Sequence, residues 1–238
     1  MKKVAIIPAR YAATRFPAKL MQMLGDKTVV RHTYENTVAT ALFDDVIVAT
    51  DSNIIYDEIV MHGGHAVMSK KLHESGSDRI AEAIEDLDVD VIINVQGDEP
   101  FMEKQPLSDL LKAFEDEHVQ VASLMHPISE DEQINNPNIV KVVTDLAGYA
   151  LLFSRSPIPY KRNADSDFNY FRHIGVYGYR KPALLQFVQW PVSALENIEK
   201  LEQLRYLENG VRIKMVSTDF TAIGIDTPED LVAARQRL

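Results

Sequence analysis

The 238-residue chain contains no cysteine. This excludes disulfide bonds, a cysteine nucleophile, zinc sites built from thiolates and cysteine-ligated iron–sulfur clusters, and it fits a reducing compartment. No stretch reaches 18 consecutive apolar residues, and the apolar run near the amino terminus is too short for a signal peptide. We therefore expect a soluble, untargeted protein of the cytoplasm that does not insert into a membrane.

Positive charge is also scarce. Lysine and arginine number 25 against 35 aspartate and glutamate residues, which gives a formal net charge of -10 and an isoelectric point near 5.2. This balance opposes general binding to anionic lipid or nucleic acid, so no nucleic-acid partner is expected. An anionic small molecule needs only a local cluster of cations and is not excluded.

Glycine is absent from the loop that follows the first predicted strand. The β-branched run at residues 3–7 predicts a buried strand, and the loop at 8–19 contains Arg10, Arg15 and Lys19 with no acidic residue between them. Clustered cations at such a position are typical of a polyphosphate site, although a solvated basic loop has the same composition. The loop matches neither common glycine-rich nucleotide motif. Phosphates would then be held by side chains more than by backbone amides.

The stretch at residues 91–100, VIINVQGDEP, is the clearest strand-to-loop signal in the chain. Its apolar run has no helical period and ends in glycine and proline, which predicts a strand buried on both faces. In an open α/β sheet, ligands bind beyond the carboxyl ends of the strands. Asp98 is therefore predicted to lie where a ligand binds, and a solvated turn is the alternative.

Strands alternate with helices over about the first 125 residues, which predicts a doubly wound, mostly parallel sheet. The first helix has Val30, Tyr34, Val38 and Leu42 at helical spacing, and Ser77 is the predicted N-cap of a later one. We find no linker that would separate two domains, so a single domain is expected over residues 1–238.

The pattern changes in the second half of the chain. Closely spaced strands predict a β-rich part at about residues 135–190. A capping box at residues 193–196 predicts one long helix that ends near Asn209, with Glu202, Gln203 and Arg205 off its apolar stripe. Thr227 is a predicted N-cap with Pro228 after it, which leaves Asp226 able to face a site.

Eight segments, in this order, resemble one known family: IIPARYAATRFPAK, VATD, SGSDR, VIINVQGDEP, FSRSPIPY, FRHIGVYGYR, LENIEKLEQLR and GIDTPEDL. The family is that of the 3-deoxy-manno-octulosonate cytidylyltransferases, or CMP-Kdo synthetases, and the resemblance spans essentially the whole chain. It implies an enzyme that makes CMP-Kdo and pyrophosphate from CTP and the acid sugar 3-deoxy-D-manno-octulosonate (Kdo), for the inner core of lipopolysaccharide. It also implies a Rossmann-like α/β fold of the nucleotide-diphospho-sugar transferase type, with a small β-rich dimerisation element, a magnesium cofactor and a homodimer.

The resemblance also implies roles for individual residues. The CTP-binding positions are Arg10, Arg15, Lys19, Ser75, Gly76 and Arg79. The catalytic positions are Arg15, Lys19 and Asp98, and the magnesium ligands are Asp98 and Asp226. The sugar-binding positions are Gln96, Arg155, His173, Tyr177, Glu202 and Gln203. As a hypothesis, a metal near Asp98 activates the anomeric hydroxyl of Kdo, and Arg155 binds the Kdo carboxylate through two hydrogen bonds.

The amino-terminal segment departs from the family signature IPARYxSTRLPGKPL at four positions: Ala13, Phe16, Ala18 and Leu20 replace serine, leucine, glycine and proline. Ala18 matters most, because a Cβ at positive φ costs about 1 kcal/mol or more. The cations are retained, so we expect activity with an altered CTP affinity.

Three alternatives remain open. The enzyme could transfer CMP to another acid sugar, such as a sialic acid or an 8-amino form of Kdo. A nicotinamide-dependent oxidoreductase would use the same kind of sheet, but the glycine motif is missing after Ile7. A non-catalytic nucleotide-binding protein is the third, and the two aspartates at 98 and 226 oppose it.

Overall fold

The computed structural model describes residues 1–12, 16–73, 75–163, 168–221 and 224–238. The chain divides into two compact units: residues 1–108 with 222–238 form unit 1, and residues 109–221 form unit 2. The predicted β-rich part at about 135–190 lies within unit 2, and the single domain over the whole chain stays a prediction. Within the described ranges, every helix is too short or too polar to cross a membrane.

The strands are β1 (Lys3–Ala9), β2 (Met23–Leu24), β3 (Lys27–Thr28), β4 (Asp45–Thr50), β5 (His65–Met68), β6 (Val91–Asn94), β7 (Val121–Pro127), β8 (Lys141–Thr144), β9 (Ala150–Ser154), β10 (Phe171–Arg180) and β11 (Ile213–Ser217). The α-helices are α1 (Val29–Ala39), α2 (Asn53–Met61), α3 (Gly76–Ile84), α4 (Lys104–Lys112), α5 (Asp131–Asn135), α6 (Lys181–Phe187), α7 (Ala194–Glu199), α8 (Leu204–Glu208) and α9 (Pro228–Arg235). Two 3-10 helices cover Lys19–Met21 and Ala113–Glu115.

Unit 1 contains a parallel sheet in the order β6, β1, β4, β5. Its two central strands consist almost entirely of buried apolar residues, as strands covered on both faces require. The predicted α/β class is confirmed. Because the strands are parallel, their carboxyl ends meet at one edge, and the loops after β1 and β6 begin there.

Helix α1 buries a different face from the predicted one. Its buried residues are Val29, Val30, Thr33 and Thr37, whereas Val38 is 47% exposed. Residues 30, 33 and 37 share one helix face. The threonines tolerate burial because each hydroxyl lies within hydrogen-bonding distance of the carbonyl oxygen four residues earlier.

Unit 2 contains the β-rich part. Strand β7 pairs in parallel with β11 and antiparallel with β10, and the β8–β9 hairpin extends from the start of β10. The pairing of β10 with β7 shifts register between Ile174 and Tyr177, which is a bulge. A bulge redirects the side chains that follow it, and it lies between the two β10 residues that the family resemblance assigns to the sugar.

The single long helix predicted from the capping box is wrong. The capping box of Ser193 and Glu196 forms, but the helix ends at Lys200, which has φ 54°, and the chain turns before α8 begins. The reason is a non-local ion pair: the Arg205 guanidinium donates to the Glu196 carboxylate at 2.5 and 2.7 Å, and both residues are buried. In a continuous helix, residues nine positions apart would be too distant for this contact.

Candidate active site

Three charged side chains from distant parts of the sequence meet in unit 1. Lys19 begins the first 3-10 helix, Asp98 lies in the loop after β6, and Asp226 precedes α9. The Lys19 ammonium contacts the Asp98 carboxylate and donates to Asp226 Oδ1 at 2.9 Å. The structure therefore brings the carboxylates of Asp98 and Asp226 together at one point, and their role as magnesium ligands stays a prediction.

The acidic side chains affect the pKa of Lys19, and the Asp98 charge also acts on Glu99. Burial alone would lower the pKa of Lys19, but the charges and hydrogen bonds of Asp98 and Asp226 outweigh it and raise that pKa above its ordinary value. Burial, reinforced by the Asp98 charge, raises the pKa of the neighbouring Glu99 carboxyl to about 8. At neutral pH Lys19 therefore stays protonated, and the Glu99 carboxyl is mostly neutral.

Local structure fixes the position of Asp226. Thr227 caps α9 through its hydroxyl, and Asp230 accepts hydrogen bonds from the backbone N–H groups of Thr227 and Asp226 at 2.8 and 3.0 Å. One residue earlier, Ile225 N–H donates to the carbonyl oxygen of Asp98 at 2.9 Å. The backbone itself therefore joins the two segments that contain the carboxylates.

The donor set fits a magnesium ion that arrives with a triphosphate. Among the described residues, no group of three or more histidine or acidic side chains is placed to hold a metal by itself. Mg²⁺ commonly takes one or two protein carboxylates and completes its shell with phosphate oxygens and water. Asp98 and Asp226 supply two hard oxygen ligands that already face the same cation, the Lys19 ammonium.

The predicted cationic loop is described in part. Arg10 is exposed immediately after β1, and Arg15 lies outside the described residues, as does Ala13. Ala18 has φ 52° and ψ 32°, which is the left-handed conformation. Ala18 therefore has its Cβ at a positive φ, which destabilises the backbone by about 1 kcal/mol at the residue next to Lys19.

The start of α3 contains the three residues predicted to line the cytidine pocket. Ser75, rather than the predicted Ser77, is the N-cap, because its hydroxyl accepts from Asp78 N–H at 3.1 Å. Gly76 follows it, close to Pro8 of β1.

Arg79 of α3 is 3% exposed and donates to Ala9 O at 2.6 Å and to Asp51 Oδ2 at 2.7 Å. The structure thus shows Arg79 joining α3 to the ends of β1 and β4. Its contact with a nucleotide stays a prediction.

The remaining predicted residues were assigned to the sugar. Gln96 belongs to unit 1, where its side-chain nitrogen lies 3.3 Å from Asn94 Oδ1. In unit 2, His173 and Tyr177 project from β10 on either side of the bulge with their rings 5.2 Å apart, and the His173 ring nitrogen Nε2 lies 2.9 Å from the Ser123 hydroxyl. The charge of Glu202 also acts on Tyr177, whose pKa is raised chiefly by burial.

Two buried polar groups near His173 and Tyr177 have no hydrogen-bond partner among the described residues. The side-chain nitrogen of Gln203 and the hydroxyl of Tyr206 are buried and form no hydrogen bond with the part of the chain that the structure describes. Such groups cost about 1–3 kcal/mol unless a ligand or water satisfies them. Tyr206 is given no role in the sequence analysis. Its hydroxyl was the only signal available.

Arg155 has extensive contacts with the protein. Its Nε and Nη1 donate to the carbonyl oxygens of Glu199 and Pro137 at 2.7 and 2.9 Å, and its backbone N–H donates to the Glu199 carboxylate. These bonds orient the guanidinium and occupy two of its nitrogens. A bidentate contact with a sugar carboxylate would therefore have to use the remaining donors or exchange one of these bonds.

We expect His173 to make unit 2 less stable in mild acid. Burial lowers the pKa of His173 from 6.5 to about 3. Between these values the unfolded chain binds a proton that the folded protein does not, so the free energy of unfolding falls as the pH falls through this window. From pH 7 to pH 5 the His173 contribution is at most about 2 kcal/mol, since the half-buried ring retains some solvent.

Urea unfolding at pH 7 and pH 5 measures this effect in the parent protein and in His173→Gln. The pH-dependent loss should be smaller in the variant. His118→Gln, at an exposed histidine of the same unit, should behave like the parent. An equal loss of stability between pH 7 and pH 5 in all three proteins would contradict the role given to His173.

Comparison with known proteins agrees with the geometry. A family model described as cytidylyltransferase matches residues 4–213. A protein of Flavobacterium johnsoniae named 3-deoxy-manno-octulosonate cytidylyltransferase is 61% identical, over 100% of this chain and 99% of its own length. A protein of the same name from Christiangramia forsetii is 55% identical, over 99% of this chain and 96% of its own.

Solved structures show the same fold. The structure of CMP:2-keto-3-deoxy-manno-octonic acid synthetase complexed with CTP superposes with a TM-score of 0.95 at 38% identity, covering 100% of this chain and 98% of that one. At 15% identity, 4-diphosphocytidyl-2C-methyl-D-erythritol synthase from Anaerococcus prevotii has a TM-score of 0.66 over 99% and 97% of the two chains. That second likeness concerns the fold alone.

Proposed function

Because the chain belongs to the family of 3-deoxy-manno-octulosonate cytidylyltransferases, we propose that it transfers CMP from CTP to the anomeric hydroxyl of Kdo and releases pyrophosphate. The observation that supports this most directly is the convergence of Asp98 and Asp226 on the Lys19 ammonium. Two carboxylates and a cation beyond the strand ends form a site for a metal-bound triphosphate.

Magnesium is proposed as the cofactor, with Asp98 and Asp226 as its protein ligands. When bound, the ion would neutralise charge on the phosphate oxygens and lower the pKa of a coordinated hydroxyl. Lys19 is placed to neutralise charge that develops on the triphosphate, because its raised pKa keeps it protonated at neutral pH. Arg10 and Arg15 are proposed to bind phosphate oxygens, and Ser75, Gly76 and Arg79 to line the cytidine pocket.

The chain's own residues act mainly by positioning. In-line attack on the α-phosphorus requires the attacking hydroxyl and the departing pyrophosphate to be held in alignment, and this alone accelerates a reaction between two bound substrates. The bond from Ile225 N–H to Asp98 O holds the two carboxylate segments together. The carboxylates thus need little rearrangement during the reaction.

We assign Kdo recognition to Gln96, Arg155, His173, Tyr177, Glu202 and Gln203. The neutral His173 imidazole can accept or donate a hydrogen bond to a sugar hydroxyl without introducing a charge, because its pKa lies far below neutral pH. The unsatisfied nitrogen of Gln203 and hydroxyl of Tyr206 add two further groups that a polyhydroxylated sugar would satisfy.

Assembly and location are proposals as well. A homodimer is supported by the large apolar side chains that unit 2 exposes, among them Leu151 at 63%, Tyr160 at 87% and Phe168 at 47%. A cytoplasmic location suits a chain without cysteine. Use of the product in lipopolysaccharide inner-core synthesis rests on the family relationship alone.

A pyrophosphate-release assay tests the activity. The purified protein should release pyrophosphate with CTP, Kdo and Mg²⁺, and removal of the metal with EDTA should abolish the signal. Parallel reactions contain UTP in place of CTP, or a sialic acid in place of Kdo. Equal release with UTP, or release only with sialic acid, would refute the substrate assignment. Full activity in EDTA would refute the metal assignment alone.

A further inference from the structure

Helix α1 is hydrogen-bonded to the turn that contains Asp98. The Thr33 hydroxyl lies 2.9 Å from Gly97 O, and the Asn36 side-chain nitrogen donates to Pro100 O at 2.6 Å. These two carbonyl groups flank Asp98 and Glu99 in the sequence. Residues 33 and 36 are one helical turn apart, so they act from the same side of the helix.

Packing alone does not require these polar groups. Thr33 is fully buried among apolar neighbours on the sheet-facing side of α1, where a valine would have the same shape. Its hydroxyl has a possible partner within the helix, Val29 O at 3.1 Å, and a closer one in the turn. Thr37, one turn later and equally buried, bonds instead to Thr33 O. The two threonines thus differ in whether they reach outside the helix.

The same turn is restrained from other directions. A Cβ added at Gly97 would lie 3.2 Å from Pro8 O and 3.3 Å from a Leu20 methyl group, so the turn lies closely against the end of β1 and the residue after Lys19. Ile225 N–H bonds to Asp98 O from the carboxy-terminal segment. Thr33 and Asn36 supply the hydrogen bonds from α1 to this turn.

We propose that Thr33 and Asn36 are positioning residues that fix the turn 97–100, and thereby aim the Asp98 carboxylate at the metal-bound triphosphate. This inference rests on the proposed function, which gives Asp98 its role. Groups that orient a metal ligand typically change metal affinity about 10- to 100-fold when removed, because a ligand has to be held to within a fraction of an ångström.

Calorimetric titration of CTP in Mg²⁺ and in EDTA tests the proposal without turnover. Thr33→Val removes the hydroxyl at constant shape, and Thr37→Val is the matched control in the same helix. Thr33→Val should weaken the Mg²⁺-dependent part of CTP binding about tenfold or more, and Thr37→Val by less than about twofold. Thr33→Ser, which keeps the hydroxyl, should bind as the parent does.

Asn36→Ala provides a second measurement at an exposed position, should Thr33→Val not fold. It should weaken the same Mg²⁺-dependent part. The inference is overturned if the Mg²⁺-dependent part of CTP binding is the same in Thr33→Val, Asn36→Ala and Thr37→Val.

Asp98→Asn, titrated in the same way, distinguishes a failure of the positioning role from a failure of the metal assignment. If it removes the Mg²⁺ dependence while Thr33→Val and Asn36→Ala do not, only the positioning role fails. If Asp98→Asn leaves the dependence unchanged, the metal assignment itself fails.

Discussion

Asp98→Asn should lower turnover by about 10²- to 10³-fold or more, because it removes charge from the point where Lys19 and Asp226 converge. Asparagine has nearly the same size as aspartate, and the backbone bond from Ile225 to residue 98 does not involve the side chain. Lys19 keeps Asp226 as a partner. The fold should therefore survive, with a free energy of unfolding lowered by no more than about 2 kcal/mol.

Initial-rate measurements with CTP and Kdo over a range of Mg²⁺ concentrations, together with urea unfolding, test this expectation. Asp57→Asn is the matched control, since it makes the same substitution at an exposed position of α2 in the same unit. It should leave turnover and stability nearly unchanged. Normal turnover in Asp98→Asn would remove this carboxylate from the mechanism, whatever the metal dependence of the parent enzyme.

Arg205→Met should produce the largest loss of stability, about 3–5 kcal/mol. Arg205 is 8% exposed, pairs with Glu196, and stacks on Phe187 with its guanidinium carbon 4.2 Å from the ring centroid. Methionine fills much of the space but leaves the Glu196 carboxylate buried without its cation. An uncompensated buried charge is the dominant cost of breaking such a pair.

Arg212→Met is the matched control in unit 2. Arg212 also has an acidic partner, Asp145 at 2.5 Å, and lies over the Tyr149 ring at 3.7 Å, but its side chain is 59% exposed. Water screens such a pair, so its loss should cost less than about 1 kcal/mol.

Urea unfolding of both variants gives the comparison. Adding Glu196→Leu to Arg205→Met should recover part of the loss, because the unpaired charge disappears. If the two single variants are equally destabilised, burial is not what makes the Arg205 pair important.

The parallel sheet of unit 1 could be predicted from the sequence because its determinants are local. Strands β1 and β6 are short apolar runs; β1 begins at the predicted residue and extends two residues past the predicted run at 3–7, and β6 lies within residues 91–100. Their parallel order then brings the following loops to one edge. The sequence predicts Asp98 at that edge, and Lys19 and Asp226 lie beside it.

The predictions that were wrong concern contacts between residues that are far apart in the sequence. The break between α7 and α8 results from the Glu196–Arg205 pair, which competes with a strong local capping signal. The contact of the Thr33 hydroxyl with Gly97 O likewise joins residues that are far apart in the sequence. Periodicity sorts residues by polarity and gives no information about which groups a buried hydroxyl will contact.

Unit 1 is assembled from two separate stretches of the chain, with all of unit 2 between them. During translation the ribosome makes Lys19 and Asp98 early and Asp226 only after the whole of unit 2 has emerged. The contact of Lys19 with Asp226 and the backbone bond from Ile225 to Asp98 therefore form only after unit 2 has been synthesised. A nascent chain that has not reached α9 lacks one of the two proposed metal ligands, so incomplete products should not consume CTP.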